Sequence, residues 1–139
     1  MEFFATVDRP LTAEELTRHL TVGTLPDWCD AFAEVTADSE DEGAGDTLWG
    51  HFRVVRTPIR GGVRFALTDC PNALAWTVTA GYPPAPEGVV IHATIARTEA
   101  DTDPDFAESI QEFVEAWQRG LQGGWPDRPD RVAQSLYNF

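Results

Sequence analysis

The chain has 139 residues, 42% of them hydrophobic, and its 23 acidic residues outnumber ten basic ones, which gives a net charge of −13. No apolar run approaches the roughly 18 to 20 residues of a membrane-spanning helix, and such a charge repels nucleic acids and anionic lipid surfaces. We therefore expect a single globular domain over residues 1–139 that binds neither nucleic acid nor membrane.

The amino terminus and the cysteines favour a cytoplasmic location. The first ten residues, MEFFATVDRP, lack a basic segment followed by a long apolar one, so they do not resemble a signal peptide. Cys29 and Cys70 form no CxxC pair, and we expect two reduced thiols. The acidic excess is consistent with a basic protein partner, and a salty cytoplasm or a coding bias would produce the same composition.

The first predicted elements are a strand and a helix. Residues 2–7 alternate between apolar side chains on one side and Phe4 among those on the other, which is typical of a strand. Thr12 and Glu15 have the spacing of a capping box, in which each side chain satisfies a backbone N–H of the other residue. This spacing predicts a helix from about residue 13 to 22.

A second short helix is predicted around residues 26–35, where large apolar side chains recur at helical spacing. The residues on that stripe are Trp28, Phe32 and Val35. The segment 38–46 then has five acids, two glycines and no large apolar side chain. We expect it to form a surface loop.

Four strands are predicted next, at about 47–57, 62–68, 73–80 and 88–98. Segments rich in Gly, Pro, Asp and Asn separate them, so consecutive strands are expected to pair as an antiparallel meander. Period-two alternation assigns one face to the core. Its residues are Leu48, Phe52, Val54, Val63, Phe65, Leu67, Leu74, Trp76, Val78, Val89, Ile91 and Ile95.

The longest predicted helix covers residues 104 to about 121. Asp103 precedes Pro104 as a helix cap, and large apolar residues recur along one stripe. The tail could form a final short helix that turns Val132, Leu136 and Phe139 inward. The predicted fold is thus α+β: an antiparallel sheet of about five strands, from an N-terminal strand plus a four-strand meander, packed against two short N-terminal helices and a long C-terminal helix.

The chain contains no established catalytic or cofactor motif. There is no Gly-x-Ser-x-Gly elbow and no glycine-rich phosphate loop, so we expect no cofactor. His51 and His92 lie on the first and fourth strands of the meander, about 14 Å apart, which argues against a shared metal ion. A Cys70 and His51 dyad, or either histidine acting as a base, is a further alternative. Arg56, Arg60 and Arg64 lie near one end of the same predicted hairpin, where they could bind an anion or form ion pairs with neighbouring acids.

The second face of the meander mixes basic and aromatic side chains over small ones, which suits a protein interface. The candidate partner-binding residues are Trp49, His51, Arg53, Arg64 and His92. In charge and size the chain resembles small acidic immunity proteins. The leading hypothesis is a non-enzymatic acidic protein-binding module, an inhibitor or immunity-type protein that occludes a basic partner.

The order of the elements supports an alternative. A strand, two short helices, a meander and a long last helix resemble the helix-grip domains of the START and polyketide-cyclase type, and the resemblance covers most of the chain. It implies a carrier or cyclase-type domain that binds a small apolar ligand in a cavity between the sheet and the C-terminal helix. The candidate ligand-binding residues are Phe65, Trp76, Ile91, Phe113 and Trp117. A pocket of several hundred Å³ at these residues is the observation that this alternative needs.

Overall fold

Seven antiparallel strands in one sheet dominate the computed structural model, which describes residues 1–124. The first part of the chain forms β1 (Glu2–Val7), α1 (Ala13–His19), a 3-10 turn (Val22–Thr24) and α2 (Leu25–Trp28). Six strands follow: β2 (Phe32–Ala37), β3 (Glu42–Thr47), β4 (Gly50–Ile59), β5 (Gly62–Leu67), β6 (Ala75–Tyr82) and β7 (Ala85–Thr94). A second 3-10 turn (Glu99–Asp101) precedes α3 (Pro104–Gly124).

The strands are arranged in the order β1-β7-β6-β5-β4-β3-β2. The α+β class and the antiparallel sheet are confirmed, but the prediction of about five strands is wrong. The predicted second helix, 26–35, ends at Trp28, and the chain then becomes β2. The predicted surface loop, 38–46, instead contains the turn between β2 and β3 and most of β3 itself.

The missed strand β3 lacks large side chains because its inward positions lie too close to other backbone. A Cβ on Gly43 would lie 2.4 Å from the carbonyl oxygen of Thr36 and 2.8 Å from a methyl group of Val22. Gly43 and Gly45 are nevertheless both buried. The buried positions of this strand are therefore occupied by glycines rather than by large apolar residues, so a search for alternating hydrophobic residues does not detect the strand.

The three α-helices of the described part of the chain contribute to one core cluster with the same face of the sheet, which we call the inner face. From α1 and α2 it takes Leu16, Leu25 and Trp28, and from α3 it takes Ile110, Phe113, Val114, Trp117 and Leu121. The predicted apolar face of the meander is the inner face, except at Leu48, which is 48% exposed. Leu48 lies in the turn between β3 and β4, so the strand alternation does not extend to it.

The predicted capping box of α1 is present: Thr12 Oγ1 accepts a hydrogen bond from the Glu15 backbone N–H at 3.1 Å, and Glu15 Oε1 accepts one from the Thr12 N–H at 3.2 Å. The helix ends at His19, earlier than predicted. Its last turn lies over the inner face, where Arg56 of β4 meets it.

Arg56 is the one buried charged residue among the described residues. Its guanidinium donates to the carbonyl oxygens of Thr17 and Leu20 at the end of α1, and to Asp41 Oδ1, at 2.6 Å, in the turn between β2 and β3. Its backbone N–H also donates to the Asp41 carbonyl oxygen at 2.7 Å. Arg56 is therefore no part of an anion-binding patch with Arg60 and Arg64, because it joins α1 to the sheet.

Helix α3 begins at Pro104, as predicted, and continues to Gly124. Its contacts are mainly with β1, β7 and α2. None of the helices in residues 1–124 has both the length and the hydropathy needed to cross a membrane. The predicted tail helix with Val132, Leu136 and Phe139 lies outside the described residues.

Candidate functional site

The opposite face of the sheet, which we call the outer face, is not covered by any helix of the described residues. Ala75 and Val90 on this face are only 7% and 4% exposed, yet neither belongs to the core cluster. Small or β-branched residues occupy much of the outer face: Thr6, Val55, Ala66, Ala75, Thr77, Thr79, Val90 and Thr94.

Two of the predicted partner-binding residues lie at the β4 side of the outer face, and both are paired with acids. His51 Nδ1 lies 2.7 Å from Asp46 Oδ1 of β3. Arg53 Nη2 lies 3.1 Å from Asp38 Oδ2, at the end of β2. All four side chains are about half exposed or more, so these ion pairs lie in solvent. They neutralise the basic groups locally and contribute little to stability.

A cross-strand row on the outer face runs over five neighbouring strands, with Thr57, Arg64, Thr77, His92 and Phe4 in register. Arg64 is exposed and has no ion-pair partner within residues 1–124. His92, two strands away, lies about 10 Å from it by strand spacing. Arg64 is therefore a cation available to a ligand or partner.

His92 contacts the edge strand β1. Its Nε2 lies 2.9 Å from Glu2 Oε1, and its ring stacks parallel on Phe4 with ring centroids 4.4 Å apart. Phe4 is 48% exposed and was not among the predicted site residues. The signal that could have identified it is its position in EFFATV, where it lies on the side of the strand opposite to Phe3 and Ala5.

Trp49 does not lie on the outer face, which corrects its assignment to the partner-binding set. The two-residue turn between Thr47 and Gly50 closes the hairpin of β3 and β4 and directs the indole toward α3. Trp49 Nε1 donates to Ser109 Oγ at 2.8 Å, and its ring lies 5.3 Å from that of Phe113. Trp49 is thus a half-buried contact between this hairpin and the long helix.

The five candidate ligand-binding residues are brought together in the core between the sheet and α3, and all are 1% exposed or less. Phe65 stacks on Trp76 at 5.4 Å, and Trp76 contacts Phe113 edge-on at 4.8 Å. Trp117 lies 6.0 Å from Phe65 and 6.3 Å from Trp76. These rings occupy the space that the alternative hypothesis assigns to a ligand.

Two buried polar atoms of this aromatic cluster have no partner in the described part of the chain. Within the described residues, Trp76 Nε1 and Trp117 Nε1 are buried and have no hydrogen-bond acceptor. An unsatisfied buried donor costs about 1 to 3 kcal/mol, and native proteins rarely leave one without water or a ligand. The cluster thus consists of apolar rings and contains two buried indole N–H donors without an acceptor in residues 1–124.

Thiol and metal chemistry find little support in residues 1–124. Burial raises the pKa of the Cys29 thiol to about 12, so it stays protonated near neutral pH and is a poor nucleophile. Cys70 is half-buried and free, in the turn after β5. No group of three or more His, Cys, Asp or Glu side chains in the described part of the chain is placed to hold a metal ion.

Comparison with known proteins gives a fold relationship. No protein family and no curated protein matches the sequence. Among solved structures, the chain is similar to an uncharacterised protein from Bacillus thuringiensis, with a TM-score of 0.57 and 9% sequence identity. The alignment covers 87% of this chain and 98% of that one. At this identity the similarity establishes a shared fold alone.

Proposed function

We propose that the protein is a non-enzymatic acidic module that binds a basic protein partner through the outer face. The observation that carries this proposal is the one-sided packing of the sheet: the described helices all lie on the inner face. A seven-stranded sheet with one face that no helix of residues 1–124 covers presents a broad, rigid surface of the kind that protein interfaces use.

The composition of the outer face supports this role. Apart from Arg64 on the central strand β5 and His92 on β7, its side chains between the edge strands are mostly short and uncharged, so a partner can approach closely with little loss of side-chain entropy. Phe4 and Arg64 project from it, and aromatic residues and arginine are the types enriched among the strongest contacts of interfaces. The acids paired with His51 and Arg53 keep these groups from repelling a basic partner.

The charge of the chain favours rapid association with a cation-rich protein. In addition to the net charge of −13, the solvent-facing side of α3 carries Asp105, Glu108 and Glu112, all exposed. Such a field accelerates the encounter of oppositely charged proteins and is screened by salt. A module of this kind that covers a basic functional surface acts as an inhibitor or immunity protein.

The test compares two variants that add the same charge at different places. Tagged wild-type protein, Thr77→Arg on the outer face and Gln111→Arg on α3 are each incubated at low ionic strength with extract of the source cells. We expect wild type and Gln111→Arg to retain the same basic protein, Thr77→Arg to lose it, and added salt to release it. Absence of a retained protein at low salt, or equal retention by Thr77→Arg, would reject the proposal.

A second candidate function is binding of a small apolar ligand at the aromatic cluster, although the rings in contact there leave no pocket for it within residues 1–124. The one observation in its favour is that, within the described residues, the buried indole N–H groups of Trp76 and Trp117 have no acceptor. A ligand with an apolar body and hydrogen-bond acceptors would satisfy both donors after the rings separate. Trp117→Phe removes one donor and keeps an aromatic ring, and Trp49→Phe is its control because the Trp49 donor already binds Ser109.

Native mass spectrometry of protein purified from source cells measures such a ligand directly. This candidate predicts a species heavier than the 15.4 kDa chain in wild type and Trp49→Phe, and the loss of the added mass in Trp117→Phe. Wild-type protein with the mass of the chain alone excludes it.

A further inference from the structure

Within residues 1–124, every second residue of the edge strand β1 has backbone groups that pair with no other strand. Met1 exchanges two hydrogen bonds with Ile95, so alternate residues from Met1 onward, including Phe3 and Ala5, bond to β7. The backbone N–H and C=O groups of Glu2, Phe4 and Thr6 consequently point away from the sheet. Gln118 Nε2 donates to the Thr6 carbonyl at 2.7 Å, which confirms the direction of these groups.

The two edges of the sheet differ in their protection. At the β2 edge the register shifts between Phe32 and Val35, an irregularity that discourages edge-to-edge pairing. The register of β1 is continuous from Glu2 to Val7, without proline, lysine or a bulge. The Thr6 carbonyl is the one outward group of β1 with a partner in residues 1–124, and a carbonyl oxygen can accept a second hydrogen bond.

We propose that β1 pairs antiparallel with β1 of a second copy of this chain, around a two-fold axis at Phe4. The sequence EFFATV is self-complementary in this register. Phe4 lies opposite its own copy, Phe3 opposite Ala5, and Glu2 opposite Thr6. A large side chain thus meets a small one on the inner face, and no two acidic side chains lie opposite each other, although the chain carries 23 acids.

The exposed aromatic ring on the outer face is used by this pairing. Directly opposed residues of hydrogen-bonded pairs have Cα atoms about 5.5 Å apart, so the two Phe4 rings become neighbours. Each ring already stacks on His92 at 4.4 Å. The dimer therefore continues the sheet across the two-fold axis. Its outer face then carries a row of four rings, His92 and Phe4 of one copy followed by Phe4 and His92 of the other, in which each Phe4 lies between two rings.

Salt separates this proposal from binding of a basic partner. Two copies of net charge −13 repel each other, so we expect dimerisation to strengthen as salt rises toward about 1 M, where the screening length is about 3 Å. Binding to a basic protein weakens over the same range. The dimer can thus fail while the partner proposal stands, and the reverse holds too.

Sedimentation equilibrium at high salt provides the measurement, with three variants. Phe4→Glu adds a charge at the two-fold axis, and Tyr82→Glu adds the same charge at another exposed aromatic residue, in β6. Thr6→Pro removes an edge N–H that β7 does not use. We expect a wild-type mass of twice 15.4 kDa, unchanged in Tyr82→Glu, and a dissociation constant raised about tenfold or more in Phe4→Glu and Thr6→Pro.

A wild-type protein that remains monomeric at about 1 mM in high salt would overturn the proposal. So would a dimer that survives both Phe4→Glu and Thr6→Pro, because it would use another surface. Equal loss in Phe4→Glu and Tyr82→Glu would also overturn it, since total charge rather than the β1 edge would then control association. Circular dichroism verifies that each variant is folded.

Discussion

Replacement of Arg56 by methionine tests how the sheet is joined to α1. Methionine retains an unbranched apolar stem of similar reach but removes the guanidinium. The side chain of Arg56 is 4% exposed, and its head group bonds to two backbone carbonyls and one carboxylate. Arg56→Met leaves the carbonyl oxygens of Thr17 and Leu20 without these donors, in a place that water reaches poorly.

The size of the loss follows from these three bonds. A hydrogen bond to a charged group contributes about 1.5 to 3 kcal/mol, and an unsatisfied buried carbonyl costs about 1 to 3 kcal/mol. Asp41 is half exposed and water can solvate it after the substitution, which places the loss near the lower end of the range for a broken buried pair. We expect the free energy of unfolding to fall by about 3 kcal/mol, and Tm by roughly 10 °C.

Urea unfolding followed by tryptophan fluorescence measures this change. Arg60→Met is the matched control, because Arg60 is exposed in the turn between β4 and β5 and we expect its replacement to change stability by less than about 0.5 kcal/mol. Arg56→Lys retains the charge, but one ammonium group cannot reproduce the planar fork, so we expect an intermediate loss. An Arg56→Met protein within about 0.5 kcal/mol of wild type would refute the reasoning.

Three further predictions concern a thiol, a close helix contact and a hairpin contact. Between pH 9.0 and about 12 the Cys29 thiol ionises in the unfolded chain but keeps its proton in the folded one. The free energy of unfolding of wild type relative to Cys29→Ala should therefore decline by about 1.4 kcal/mol per pH unit in this range. A difference between the two proteins that does not change with pH would contradict this prediction. Gly120→Ala should lower the free energy of unfolding, measured by thermal unfolding, by about 2 to 3 kcal/mol, because the added Cβ would lie 1.7 Å from the carbonyl oxygen of Trp28 in α2. Gly123→Ala, which meets no atom within 4 Å, should raise it by about 0.5 kcal/mol. Equal effects of the two substitutions would be inconsistent with the close contact at Gly120. Trp49→Phe and Ser109→Ala should each lower the free energy of unfolding by about 1 kcal/mol, and the double variant should lower it no more than either alone. Additive losses would show that the hydrogen bond between Trp49 and Ser109 does not form.

The sequence predicts those elements whose side chains alternate between solvent and the core. The alternation of β5 to β7 predicts their inner face, while two local motifs, the capping box and Pro104, predict where α1 and α3 begin. At β2 the same signal is ambiguous: Trp28 and Phe32 are four residues apart and both are buried, yet one ends α2 and the other begins β2. A spacing of four indicates a helix only when one element contains both residues.

The site was predicted less completely, because its residues depend on turns and on distant pairing. His51, Arg53, Arg64 and His92 lie on the outer face as the alternation predicts, but their acidic partners come from other strands. Trp49 was misplaced because alternation was continued through a turn. Phe4 acquires its significance only from the edge position of β1, which pairing with β7 determines and local sequence does not.

The pairing of β1 with β7 also affects the order in which the strands of the sheet pair during folding. The other strand pairs join neighbours along the chain, with short turns between them, whereas Val7 and Val89 must meet across more than half of the chain. Closing a loop of about 80 residues costs roughly 4 kcal/mol of chain entropy, well above the cost for a two-residue hairpin. We therefore expect the meander to form first and β1 to join last, so that its backbone amides exchange with solvent sooner than those of β5 and β6.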